Sequence, residues 1–207
     1  SDLLFQNAEG FLAVWLMKGS QIDTAAYLVP SNVGDLGYRV AGTGDFNGDT
    51  HEDLLFHHED GTLAVWHMNG TSQISAQLLE PSNPGDRNWR VVGVVDLNRD
   101  KKADLVFQHA DGTLAVWYLD GVKLVSAALF NPSQPGDANW RAVGIGDLNG
   151  DQQADLVFQH TDGTMAVWLL RGNTLIQATL LSPSTPGNSQ WRVEGMADIN
   201  RDGKTDL

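Results

Sequence analysis

The sequence repeats with a period of 51 residues, and four units align end to end without a gap. Trp15, Trp66, Trp117 and Trp168 form one column of that alignment. Pro30, Pro81, Pro132 and Pro183 form a second, and Tyr38, Trp89, Trp140 and Trp191 a third. A fixed period of this length belongs to a repeat architecture, so repetition decides the fold before any strand is assigned. After four periods Asp206-Leu207 repeats Asp2-Leu3.

Each unit reads as a four-stranded antiparallel meander. Residues 89–95 are rich in β-formers, and residues 104–109 form a second apolar run. Asp111-Gly112 is a two-residue hairpin signature, repeated at Asp60-Gly61 and Asp162-Gly163 and varied at Glu9-Gly10. Residues 113–119 make the third strand, and Asp120-Gly121 turns it into a fourth over residues 123–130. A Pro/Ser/Gly/Asn loop, residues 131–139, leads to the next unit. No segment has a helical period, so the expected class is all-β.

The third strand shows how units pack. Leu63, Val65 and His67 alternate with Ala64, Trp66 and Met68, so both faces are mostly apolar. A sheet wet on one side would alternate with polar residues, whereas these are covered on both faces. Gly42, Gly93, Gly144 and Gly195 lie inside the first strand. A glycine weakens a strand there unless another backbone comes close, as at the axis of a radial array. The expected architecture is a β-propeller, one domain over residues 1–207 built from four 51-residue blades. Residues 1–37 supply strands two to four of the first blade, and 38–88, 89–139 and 140–190 are full repeats. Residues 191–207 carry a closing first strand (Trp191 to Ala197) and a last loop. The N- and C-terminal strands then share one blade and leave no open edge. Within one chain this makes a closed four-bladed ring, and between two chains, head to tail, an eight-bladed one. A segment of a longer array is the third alternative.

Between the first and second strands of every unit runs Asp-x-Asn-x-Asp-x-x-x-Asp. It occurs at Asp45, Asn47, Asp49 and Asp53, at Asp96, Asn98, Asp100 and Asp104, at Asp147, Asn149, Asp151 and Asp155, and at Asp198, Asn200, Asp202 and Asp206. A hard cation such as Ca2+ takes about six to eight oxygens at roughly 2.3–2.6 Å, and alternate acidic side chains on a tight loop supply them. Position seven can add a backbone carbonyl, from His51, Lys102, Gln153 and Lys204. Asp and Asn also favour plain turns, but a turn does not need four oxygens in one register four times over. Up to four Ca2+ are expected, in a structural role, because the empty loops crowd like charges. Position four is Gly48 or Gly150 and position six is Gly203, where a positive φ is free of strain. The loop from Asp96 carries Arg99 and Lys101 there, followed by Lys102, and is expected to hold its cation least tightly.

Composition narrows the partners. Net charge is −13 and there is no run of Lys/Arg, which argues against nucleic acid and anionic membranes. No apolar stretch approaches the roughly 18–20 residues of a membrane span, so no membrane insertion is expected. The absence of cysteine rules out disulfides, thiolate metal sites and a cysteine nucleophile. Four near-identical units do not form the asymmetric set that catalysis needs, and no nucleophile-elbow, phosphate-loop or zinc-helix motif occurs, so no enzyme is expected.

Asp-Phe-Asn-Gly-Asp (45–49), Asp-Leu-Leu-Phe (53–56) and Asp-Gly-Thr-Leu-Ala-Val-Trp (60–66) together resemble the FG-GAP/VCBS repeat family. That family includes the blades of the integrin α-subunit head and many secreted bacterial propellers. The resemblance spans all four units and implies Ca2+ in the loops on one rim. It also implies a secreted or cell-surface setting, adhesion or ligand recognition, and usually seven blades. Four units depart from that number, which favours missing blades or a homodimer by strand exchange. The expected partner is a protein or glycan ligand at the cell surface.

Two further columns are candidates. His58, His109 and His160 share a position with Asn7, and a histidine repeated at a strand end is expected to be a hydrogen-bonding structural residue. Tyr38, Trp89, Trp140 and Trp191 follow the Pro/Gly/Asn loops near a rim, where an aromatic platform beside polar groups could bind sugar. Some similar secreted propellers are lectins, so a multivalent lectin is one alternative and a purely structural module of a larger surface protein another.

Overall fold

A computed structural model describes residues 2–196 and 205–207 of the chain. These residues form strands, turns and loops, and no helix occurs among them. The chain groups into two compact units, Ser1–Arg87 with Gly121–Lys123, and Asn88–Asp120 with Leu124–Leu207. In the first, β1 (Leu3–Gln6), β2 (Phe11–Lys18) and β3 (Gln21–Asn32) form one meander. β4 (Tyr38–Gly44), β5 (Asp53–His58), β6 (Leu63–Asn69) and β7 (Ser72–Leu78) form a second. A single parallel bridge, Val29 to Ser72, joins the two into a seven-stranded sheet.

The second unit holds two four-stranded meanders. One is β8 (Trp89–Val95), β9 (Asp104–His109), β10 (Leu114–Asp120) and β11 (Lys123–Leu129), whose first residue falls to the other unit. The other is β12 (Trp140–Gly146), β13 (Asp155–His160), β14 (Met165–Arg171) and β15 (Thr174–Leu180). Four antiparallel strands per repeat, joined by Asp-Gly hairpins, are what the sequence leads one to expect. β8 and β9 fall where expected, and β10 and β11 differ by one residue.

Each first strand carries a bulge just before its glycine, at Val40/Gly42, Val91/Gly93 and Ala142/Gly144. At two of them a side chain, rather than the expected backbone, comes close. A Cβ on Gly93 would stand 2.7 Å from Ile145 Cγ2, and one on Gly144 would run into Met196. Gly195 has open space around it, so the expectation does not extend to that position.

The closing strand is not formed over residues 191–196, and Ala197 lies outside the described residues. A first strand exists through its ladder to a second strand, as β4 does along β5. Residues 191–196 are held by the side chain of Gln159 and by a turn bond from Trp191 N–H to Asn188 O, which make no ladder. Among the described residues β1 pairs only with β2, at the edge of its sheet.

Sheets pack face to face within each unit. Leu12 and Leu28 meet Leu54, Phe56 and Met68 in the first, and Val106, Leu114 and Val116 meet Leu156, Phe158 and Trp168 in the second. Phe56, Phe107 and Phe158 are fully buried, each stabilising its unit by about 1.5–3 kcal/mol. Trp66, Trp117 and Trp168 lie on these phenylalanines at centroid distances of 5.0, 5.3 and 5.1 Å. These pairs join adjacent strands of one sheet, and Trp66 and Trp168 also pack into the cores between sheets, whereas Trp15, against Phe5, is 39% exposed.

A glutamine clamp locks successive sheets together. Gln108 Nε2 donates to Trp140 O at 2.9 Å, and its Oε1 accepts Ala142 N–H at 2.9 Å. Gln6 holds Tyr38 O and Val40 N–H in the same way, and Gln159 holds Trp191 O and Val193 N–H. The fourth member of the column is His57, whose Nε2 is buried without a hydrogen-bond partner. Gln108→Leu should therefore lower unfolding free energy by about 1–3 kcal/mol, because it strands a buried carbonyl and amide. Urea denaturation would measure it, and a loss below about 0.5 kcal/mol would remove the clamp from the account.

Candidate metal centre

The three described aspartate loops share one geometry. In the first, Asp45 Oδ1 accepts the N–H groups of Asn47, Gly48 and Asp49 at 3.2, 2.7 and 3.2 Å, and Oδ2 accepts that of Thr50 at 2.8 Å. Asn47 Oδ1 accepts Asp49 N–H, its Nδ2 donates to Asp49 Oδ2, and Asp49 Oδ1 accepts His51 N–H. Asp147, Asn149 and Asp151 repeat this pattern, with Gln153 N–H on Asp151. Asp96, Asn98 and Asp100 keep its main bonds, with Lys102 N–H on Asp100. Positions one, three and five are thus gathered around one short stretch of backbone.

Position nine is different in kind. Asp53, Asp104 and Asp155 are completely buried. Asp53 Oδ2 accepts Phe46 N–H at 3.1 Å and Oδ1 accepts Met68 N–H at 2.8 Å, so one carboxylate ties the loop to β6. Asp104 joins Leu97 and Leu119, and Asp155 joins Leu148 and Leu170. In the first loop alone His67 Nδ1 also lies 2.9 Å from Asp53 Oδ2. Burial pushes the Asp104 carboxyl up to about 6 and Asp155 upward too, against the pull of the amides they accept. In both the charged form is disfavoured because its surroundings solvate it poorly.

Among the described residues no three acidic or histidine side chains converge on one point as a finished metal cluster. The donors are arranged around the loop's own amides instead. The chemistry still suits Ca2+, since every side-chain donor is an oxygen and the ninth-position aspartate is completely buried. Asp198, Asn200, Asp202 and Lys204 lie outside the described residues, while Asp206 is half-buried at the last position of that loop.

Positions four and six adopt positive φ in every described loop: Gly48 and Thr50 at 79° and 71°, Arg99 and Lys101 at 65° and 68°, Gly150 and Gln152 at 82° and 65°. Among the described loops Arg99 is the one non-glycine at position four, and a left-handed side-chain residue costs roughly 1–2 kcal/mol. Lys102 turns aside to Asp120, with Nζ 2.8 Å from the carboxylate. The loop from Asp96 thus combines backbone strain with added positive charge.

The histidine column is structural. His58, His109 and His160 stack on Tyr38, Trp89 and Trp140 at 4.7, 5.0 and 4.9 Å, and Nδ1 of each lies 2.8–2.9 Å from Asp60, Asp111 or Asp162 in the hairpin turn. This places most of the third aromatic column against protein, while Trp191 is 61% exposed. In the first unit a cavity of about 310 Å³ opens between the two meanders, lined among others by Tyr38, Phe56, Ala64, Trp66, Ala76 and Gln77. Column positions alone did not reveal the glutamine clamp or this cavity, because both depend on which side chains meet across sheets.

The FG-GAP-like repeat family matches residues 45–107, 96–158 and 147–207, and the chain belongs to that family. No curated protein matches it. Among solved structures, the Tc holotoxin pore of Photorhabdus luminescens is similar at a TM-score of 0.56 and 16% identity, over 99% of this chain and 10% of that one. The Dos1 propeller is similar at a TM-score of 0.50 and 10% identity, over 87% of this chain and 44% of that one. The chain thus spans less than half of either relative. Repeats of this family and likeness to a propeller make it a β-propeller module.

Asp60, Asp111 and Asp162 accept the N–H of Thr62, Thr113 and Thr164 at 2.8 Å, and these bonds, with the threonine and histidine side chains, hold their carboxyls down at about 2. A depressed carboxyl contributes stability above its unfolded pKa of about 4 and loses it as pH falls through the folded value. The Asp60 side chain pushes the His58 pKa up, so that contribution is full below about 6.5 and fades as pH rises through the folded value. Carbon-detected NMR titration of the folded protein should find these three carboxyls still ionised at about pH 3. Ordinary midpoints near 4 would count against the turn bonds.

Proposed function

We propose that the chain is a calcium-binding β-propeller module of a secreted or cell-surface protein, acting in recognition or adhesion rather than catalysis. One observation carries the metal reading: the same oxygen-lined loop geometry recurs three times, each resting on a completely buried aspartate. Asp45, Asn47, Asp49, Asp53 and the His51 carbonyl would hold one ion. Asp96, Asn98, Asp100, Asp104 and the Lys102 carbonyl would hold another, and Asp147, Asn149, Asp151, Asp155 and the Gln153 carbonyl a third. The loop from Asp198 to Asp206 would add a fourth by sequence. Bound Ca2+ supplies positive charge to loops that otherwise crowd carboxylates, which couples metal binding to folding. Extracellular calcium suits sites of modest affinity, with dissociation constants of about 10⁻⁴–10⁻³ M. The partner is a protein or glycan ligand, and a homodimer by strand exchange, giving eight blades, is the assembly that the repeat number favours.

Thermal unfolding with Ca2+ and with excess chelator tests this reading. Saturating calcium should raise the midpoint by several degrees, as ligand binding to the native state does. An unchanged midpoint in chelator would sink the metal assignment. Titration of single loops, with the others disabled by Asp→Asn at position one, should find the Asp96 loop weakest.

The lectin reading has one observation in its favour, the cavity beside Tyr38 and Trp66 with Gln77 at its wall. Its size reaches the lower end of the range for small-molecule sites, about 300–1,000 Å³. Saturation-transfer NMR against a panel of monosaccharides should show ring-proton contacts that Ala76→Trp abolishes. Signals that persist in that variant would locate sugar binding elsewhere.

A further inference from the structure

The clamp column runs Gln6, His57, Gln108 and Gln159, and only His57 can change its charge near neutral pH. Each glutamine bonds a carbonyl and an amide inside its own compact unit. The chain passes from the first unit to the second after Arg87, between the second repeat and the third. His57 belongs to that step of the column.

The strand ladders set an arginine opposite each of the later members, Arg39 opposite His57, Arg90 opposite Gln108 and Arg141 opposite Gln159. Beside Gln108 the arginine joins the clamp, with Arg90 Nη2 donating to Gln108 Oε1 and to Ala142 O. Beside His57 it turns away, and Arg39 Nη1 donates to Leu36 O and Tyr38 O at 2.7 and 2.9 Å. His57 Nε2 is buried with no hydrogen-bond partner.

A glutamine amide accepts at one end and donates at the other, whereas an imidazole nitrogen does one or the other according to its proton. Without a proton Nε2 is a lone pair lacking a donor, and with one it is an N–H lacking an acceptor. Protonating the ring adds charge where solvation is poor. Within the first unit, Arg39 faces the ring from β4 and the apolar Leu63 from β6. Asp35 precedes β4, and the hairpin turn after His58 carries Glu59 and Asp60. The loop that bonds Leu63 N–H through Ser82 O carries Glu80, Asp86 and Arg87. Burial is the largest influence and pushes the His57 pKa down, with Asp60 favouring the charged ring and His58 opposing it. A lowered folded pKa gives stability that is full above the unfolded value of about 6.5 and lost as pH falls through the folded value.

We propose that His57 is an acid-responsive switch: proton uptake loosens β4 and β5 of the first unit, at the one place in the column where no glutamine holds the fold. Gln108 and Gln159 do not titrate, so the column gives the second unit no such response. The switch uses none of the loop aspartates and stands apart from the calcium assignment.

The test is amide hydrogen exchange of the full chain at fixed calcium, compared at about pH 7.5 and 5 after correction for intrinsic rates. On acidification, protection of residues 54–57 in the wild type should fall relative to the same residues in His57→Gln. The fall should reach up to about tenfold for each unit by which the His57 pKa is lowered. Residues 105–108, the matching stretch of β9, should not differ between the two proteins. His57→Gln restores the side chain of the other three repeats, and His57→Leu, which cannot titrate either, repeats the comparison. His58 is present in every protein, so its opposite response cancels. Histidine NMR titration of the wild type should place the His57 midpoint below about 6.5. A midpoint at or above that value, or protection with the same pH dependence in the wild type and both variants, would overturn the proposal.

Discussion

The buried aspartate at the ninth loop position holds the rest of the repeat in register. Asp53, Asp104 and Asp155 each take at least one amide from the loop and one from the third strand, so the connection between the first two strands is fastened to the interior of its own sheet. A completely buried carboxylate is costly unless every lone pair finds a donor or a cation. That cost explains why the loop folds its amides inward, and why its remaining oxygens form a negative nest. Sheet, loop and ion chemistry therefore share one residue per repeat.

Contacts between sheets follow a second rule. Apolar faces meet through buried leucine, valine and phenylalanine side chains, which supply area but little direction, while the glutamine clamps supply direction. A glutamine bonding both a carbonyl and an amide of the next first segment admits only one register, since a one-residue slip would offer it the wrong groups. The two ends of a first strand thus differ in character, with guanidinium groups at its start and carboxylates just beyond its end.

Repetition also makes departures visible. His67 adds a bond to Asp53 that Tyr118 and Leu169 do not make at the corresponding positions of the later repeats. Arg99 takes a left-handed position that Gly48 and Gly150 fill elsewhere. Each departure changes one loop's electrostatics or strain while leaving the strand pattern intact, so the loops are equivalent in shape and unequal in energy.

By itself the sequence determined the period, the four strands of each repeat, the Asp-Gly hairpins, the oxygen pattern of the loops and the family. All of these are local, or they recur at fixed spacing, and local hydrogen bonding with alternation of apolar residues is enough to specify them. The structural role of His58, His109 and His160 was legible for the same reason, since partner and histidine lie two residues apart. Only the tertiary structure decided which side chains meet across sheets: the glutamine clamps and the cavity beside Trp66. It also decided that residues 191–196 form no strand, because a strand needs a ladder partner and no pattern in residues 191–197 says where that partner is. Pairing between sheets depends on burial and on a single geometry shared by distant residues, and that information lies in the folded chain.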